Sequence, residues 1–303
     1  MAGTNGSRGS KMPTHYDRAA EDLGNIVALE HVNVCIPDQG LATLFYVTGL
    51  GLTRDPFIMV STNNMWINVG RSQFHLPTNK PQLLRGHTGL VIPDRDALLR
   101  RLARVREPLE GTAFAFHEHE AFVEAISPWG NRLRCYQPDA RFGRITLGLP
   151  YVEFEVPRAT ADGIARFYRE ILSAPAECLE DAEGRHAQVA VGIAQSLIFR
   201  ETDQPQPPYD GHHIQIYIAD FSGPHRRLAA RKLLTEDDDP HQYRFKDLVD
   251  PDSGKLLFTI EHEVRSMRHP LYGRPLINRN PAQTNVHHAP GYDEWNWRMP
   301  EPE

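Results

Sequence analysis

Cysteine is scarce in this chain. Three residues in 303, Cys35, Cys135 and Cys178, lie far apart with no CxxC pair, which excludes a disulfide framework and a zinc ribbon and fits a reducing compartment. Cys35 and Cys135 read as small buried apolar groups. Long apolar runs are missing too: none approaches the roughly 20 residues of a spanning helix, and the opening MAGTNGSRGSKMPTHYDRAAEDLGN has no apolar signal segment. The expectation is a cytoplasmic protein with no membrane partner. Neither sign of charge dominates: 33 Lys and Arg face 39 Asp and Glu, a net charge of −6, with no basic run to favour nucleic acid. Small-molecule ligands remain.

What the chain does contain is an internal repeat. LEHVNVCIPDQGLATLFYVTGLGL at 29–52 has the plan of LPYVEFEVPRATADGIARFYREIL at 149–172. In both, an alternating strand leads through a Pro turn into apolar residues at helical spacing, Leu41, Leu44 and Phe45 in one copy and Ile164, Phe167, Tyr168 and Ile171 in the other. NVGRSQFHL then answers AVGIAQSLIF, GHTGLVIPD answers HHIQIYIAD, and FVEAISPWGNRLRCY answers DLVDPDSGKLLFTI. Each half is itself double, so the chain reads as four strand-helix-strand-strand-strand units near 28–80, 84–139, 147–202 and 209–264. Pro- and Gly-rich stretches separate them. Residues 1–27 read as a mobile arm, and 266–303, which lack periodicity, as an irregular extension able to wrap over the body through Trp295 and Trp297.

HVNVCIPD, FYVTGLGL, GHTGLVIPD and SPWGNRLRCY together resemble the vicinal oxygen chelate superfamily of glyoxalases, type I extradiol dioxygenases, fosfomycin-resistance enzymes and bleomycin-binding proteins. The resemblance covers about 28–264, and four units look most like the extradiol dioxygenases. It implies an α+β fold of four βαβββ modules paired into two domains, 28–140 and 146–265, each a curved mixed sheet around a pocket with helices outside. It also implies up to four metal-ligand slots per pocket, on the first and last strands of the paired units. Alternate strand residues face inward, so neighbouring strands can converge on one cation.

In the first half these slots fall on His31, His75, His87 and, where the family usually carries Glu, Arg134. His makes up 15 of 303 residues, so chance fills three given slots on the order of once in ten thousand. The bland alternative is three structural histidines. The second half places Tyr151, Leu197, His213 and Phe258 in the slots and is expected to be metal-free, with His213 a core histidine. Glu124 is the candidate general base or added ligand, or else the ion-pair partner of Arg134. Arg134 suits an anionic substrate or an ion pair outside the pocket. Asn33, Trp66, Asn68 and Tyr136 are candidates to line the pocket or to pack as core. Adjacent His212, and His287 with His288 in the tail, read as solvent or loop residues.

The expected cofactor is a divalent metal, Fe(II) favoured, with Zn, Ni, Mn or Cu compatible with imidazole ligands. Implied by the resemblance is a dioxygenase-like oxidoreductase acting on a small substrate with vicinal or enolisable oxygens. The alternatives are a glyoxalase-like lyase or isomerase with Glu124 as base, and a metal-free binding protein of the resistance type. A homodimer is compatible with the repeat but not required by it.

Overall fold

The periodicities read above become sixteen strands and four α-helices in a computed structural model that describes residues 17–58 and 63–278. The first unit comprises β1 (Ile26–Asn33), α1 (Gln39–Ala42), β2 (Thr53–Arg54), β3 (Asn64–Val69) and β4 (Ser72–Pro77). The second comprises β5 (Gly86–Val91), α2 (Arg95–Arg104), β6 (Ala115–Glu118), β7 (Val123–Ile126) and β8 (Arg132–Tyr136). In the third are β9 (Gly148–Pro157), α3 (Ala161–Ile171), β10 (Ala176–Asp181), β11 (Gly184–Ala190) and β12 (Ser196–Thr202). The fourth has β13 (His213–Ile218), α4 (Ser222–Ala230), β14 (Leu234–Asp239), β15 (Gln242–Val249) and β16 (Leu256–Ser266). The fold is therefore α+β and built of βαβββ modules.

Local chemistry starts the helices where the sequence indicates. Asp38 and Asp94 cap α1 and α2, their carboxylates accepting from the amides of Leu41 and Ala97 at 2.8 Å. α1 runs on as a π-helix over Thr43–Gly49, which buries both Phe45 and Tyr46. In α3, Ile164, Phe167, Tyr168 and Ile171 are all buried, the apolar stripe that their spacing predicts. α3 packs against β10, β11 and β12 of one sheet and β15 of the other, and one large hydrophobic core draws on both sheets, with a smaller cluster around Val91, Tyr136 and Phe142.

The sheets have the strand orders β14-β15-β16-β13-β1-β4-β3-β2 and β10-β11-β12-β9-β5-β8-β7-β6. This corrects the pairing of consecutive units. Unit one joins unit four through antiparallel β1 and β13, and unit two joins unit three through antiparallel β5 and β9. Every unit offers its first strand as an edge, and the hydrogen-bonding pattern of a strand edge does not distinguish one partner from another.

The extension has order where it is described. Asn68 Nδ2 donates to the carbonyl of Ile277 at 2.8 Å, Asn278 exchanges two hydrogen bonds with the backbone of Gly70, and Arg274 Nη2 meets Asp55 Oδ2 at 2.7 Å. Residues 267–278 thus strap across β3 and β4. Trp295, Trp297, His287, His288 and the arm up to residue 16 lie outside the described residues. Among those described, no helix is long and apolar enough to cross a membrane.

Candidate metal centre

Strand register aligns two rows of side chains on one face of the sheet formed by units one and four. One row runs Trp66, His75, Asn33, His213, Glu261; the next runs Asn68, Gln73, His31, Gln215, Glu263. Their neighbours in sequence, such as Phe74, Ile214, Ile216 and Val264, point the other way into the core. His31, His75 and His213 can each offer a ring nitrogen within 4.8 Å of the others. The Nε2 atoms of all three are buried without a hydrogen bond. Glu263 Oε2 lies 3.5 Å from His213 Nε2.

Three orphaned imidazole nitrogens beside a carboxylate match the donor set of a divalent cation, since desolvated nitrogen lone pairs without partners are costly. Second contacts orient the rings. His31 Nδ1 lies 2.8 Å from Glu30 Oε2, which holds the proton on Nδ1 and leaves Nε2 free to ligate. Neighbours on a strand normally face opposite ways, but the register of β1 against β13 shifts between Leu29 and His31. That irregularity sets Glu30 beside His31. His213 Nδ1 is 3.5 Å from Glu261 Oε1.

Arg244 binds Glu261 at 2.6 Å and also reaches Glu263, and Arg265 binds Glu263 at 2.5 Å. Burial lowers the pKa of His75 to about 2, assisted by His31 and His213; it also lowers that of His213. Both rings stay neutral, the form that ligates a metal. Burial pushes the Glu263 carboxyl up, but His213, His31, Arg265 and Arg244 outweigh it and keep the group ionised. Trp66 stacks on His75 at 3.8 Å between centroids and 12° between planes, fixing that ring.

The structure places His31 and His75 with Asn33 and Trp66 on one sheet face, and the third histidine of the group is His213, whereas the sequence reading expected His87. His87 is on β5, in the other sheet, and His213 takes its place because unit four, not unit two, completes the sheet. Glu263 was missed. Counting four residues past the Gly254 turn reaches Phe258, which faces the core, whereas β16 runs eleven residues and β15 opposite it is irregular in register. The parallel pairs Asn33–His75 and Gln215–Glu263 have the same offset from His31 and His213. A signal was present in FTIEHEVRS, where Glu261, Glu263 and Arg265 alternate with apolar residues and His262.

In the second sheet the same offset gives His87, Arg134, Tyr151 and Ile198. His87 Nε2 lies 3.0 Å from Tyr151 Oη, which lies 2.9 Å from Tyr136 Oη, so this histidine is satisfied. Its pKa falls to about 3, by burial first and then Arg134, Arg132 and Arg200. Arg134 pairs with Glu183 at 3.5 Å and stacks over Phe122, and Glu124 sits opposite Arg134 across β7 and β8. Glu124, Arg134 and Tyr136 are thus remote from the three-histidine cluster in sheet position. His212 is buried in the loop before β13, bound to Asp210 at 2.6 Å, rather than solvent-facing.

No family model and no curated protein sequence matches the chain. Solved structures do. A putative dioxygenase from Bacillus subtilis superposes with a TM-score of 0.54 at 15% identity, covering 80% of this chain and 86% of its own. Glyoxalase I from Zea mays superposes with 0.53 at 12% identity, covering 78% and 92%. Identities this low speak to architecture alone. With the four βαβββ units and two mixed sheets, they show that the chain has the fold of the vicinal oxygen chelate superfamily.

Proposed function

We propose that the chain is a metal-dependent oxidoreductase of the dioxygenase type, with a divalent cation, Fe(II) favoured, held by His31, His75, His213 and Glu263. The observation that carries this reading is the set of three buried, unpartnered Nε2 atoms beside a carboxylate. Non-haem Fe(II) oxygenases are associated with two histidines and one carboxylate; this cluster offers the same donor types with a third imidazole. When bound, the cation would supply Lewis acidity to two adjacent or enolisable substrate oxygens and, as iron, redox chemistry toward O₂. The chain's own residues set the stage. Glu30 fixes the tautomer of His31 and Trp66 fixes the plane of His75, so both rings are oriented before a cation arrives. The dioxygenase name of the B. subtilis neighbour supports the reading; the glyoxalase name keeps the redox-neutral alternative in view, although Glu124, its expected base, lies in the other sheet.

Metal analysis of protein purified without chelator tests it. About one iron per chain is expected, falling below about a tenth in His213→Ala and unchanged in His87→Ala. Oxygen uptake with a panel of catechols and β-diketones then separates the chemistries. Metal without oxygen uptake would move the protein to lyase or isomerase chemistry; a protein that neither carries nor takes up metal would be a binding module.

A further inference from the structure

One buried polar group on the face of the metal centre is left unexplained by metal binding. Gln215 is fully buried, and neither its Oε1 nor its Nε2 has a hydrogen-bond partner. It stands in the row between His31 and Glu263, directly paired with both in the strand register. A buried amide lacking both its donor and its acceptor contacts costs more than one left half satisfied, which is why such groups are rare unless something completes them. A cation could meet only Oε1, since the amide Nε2 carries hydrogens and has no free pair to give, so the donor still lacks a partner. On the next row Asn33 Oδ1 is likewise buried and unpartnered.

The arginines of the same face are already committed. Arg244 is held by Glu261 and Glu263, Arg265 by Glu263, and Arg274 by the fully buried Asp55. Arg265 Nη1 and Arg274 Nη1 are nevertheless buried without a hydrogen-bond partner, so discrimination between a neutral and an ionised ligand rests on the Gln215 amide itself.

Resting on the metal-centre reading above, we propose that Gln215 is a specificity residue that recognises an uncharged donor-acceptor group of the substrate, such as a carboxamide, next to the chelating oxygens. Carboxylated chelators are disfavoured. The amide of Gln215 is complementary to a primary amide through one accepted and one donated hydrogen bond, and an ionised carboxylate would satisfy only its donor while facing its carbonyl oxygen.

The test is equilibrium binding of matched catechols to the metal-loaded full chain by calorimetry: 2,3- and 3,4-dihydroxybenzamide, the corresponding benzoates, and catechol itself. In the wild type, one of the two benzamides is expected to bind at least about tenfold more tightly than its benzoate. In Gln215→Leu that preference disappears, while metal content and the affinity for catechol stay within about twofold of wild type. Gln215→Asn, which keeps the amide but draws it back, is expected to retain part of the preference. Benzoates binding as tightly as benzamides, no binding of either to a protein that carries its metal, or a preference that survives in Gln215→Leu overturns the proposal. Loss of the metal itself from the wild type overturns the metal-centre reading instead.

Discussion

At the scale of single residues, the proposed metal centre depends on which nitrogen of each ring is free. His31 has its Nδ1 held by Glu30 at 2.8 Å, and that contact exists because β1 is irregular in register at this point. Replacing Glu30 by Gln removes the charge that favours the ligating tautomer while keeping the size of the side chain. Metal affinity is expected to fall about 10- to 100-fold, as for other groups that orient a ligand, with the folded state retained. Competition with a chromogenic chelator measures this; unchanged affinity would mean that Glu30 serves only the ion-pair network with Arg265. His31 was legible from HVNVCIPD, because alternation and the strand motif locate it. Its partner was not, since a strand pattern places adjacent residues on opposite faces and only the register shift puts Glu30 beside it.

At the scale of elements, the two sheets begin from one pattern and end in different states. Where the first sheet has Asn33, the second has Gly89, and a Cβ there would meet the ring of Tyr151 at 2.2 Å. The absence of a side chain lets Tyr151 lie across β5 and reach both His87 and Tyr136, which fills the second set of slots with a closed hydrogen-bond chain. Gly89→Ala is expected to destabilise the protein by about 1–3 kcal/mol through overpacking and to leave metal content unchanged. The same substitution in a Tyr151→Ala background should cost distinctly less, which urea denaturation of the four proteins in a double-mutant cycle would read out. Strict additivity would place the clash elsewhere. In the sequence Tyr151 and Arg134 depart from the metal pattern while His87 follows it, and nothing in GHTGLV marks Gly89. Its meaning appears only when β5 and β9 are paired.

At the scale of the molecule, the repeat made the four units readable, yet the order in which they pair carried the functional consequence. The internal echo follows from strand alternation and helical spacing, both local properties. Partner choice among equivalent strand edges is a long-range property, and assuming neighbours in sequence grouped His87 with His31 and His75, where the observed pairing brings His213. The observed pairing makes a strong demand: His31 and His75 come from the first half, and His213 and Glu263 from the second. Cutting the chain between the halves near Gly143, in the connection before β9, would leave each fragment with two exposed first-strand edges and an incomplete donor set. Neither fragment alone is expected to bind the metal with the affinity of the whole protein, whereas fragments refolded together should recover it at about one per pair. Consecutive pairing predicts the opposite, a first half that folds and binds alone. Metal titration of the first-half fragment, the second-half fragment and their mixture decides between the two, and a first half that retains full affinity would refute the joint site.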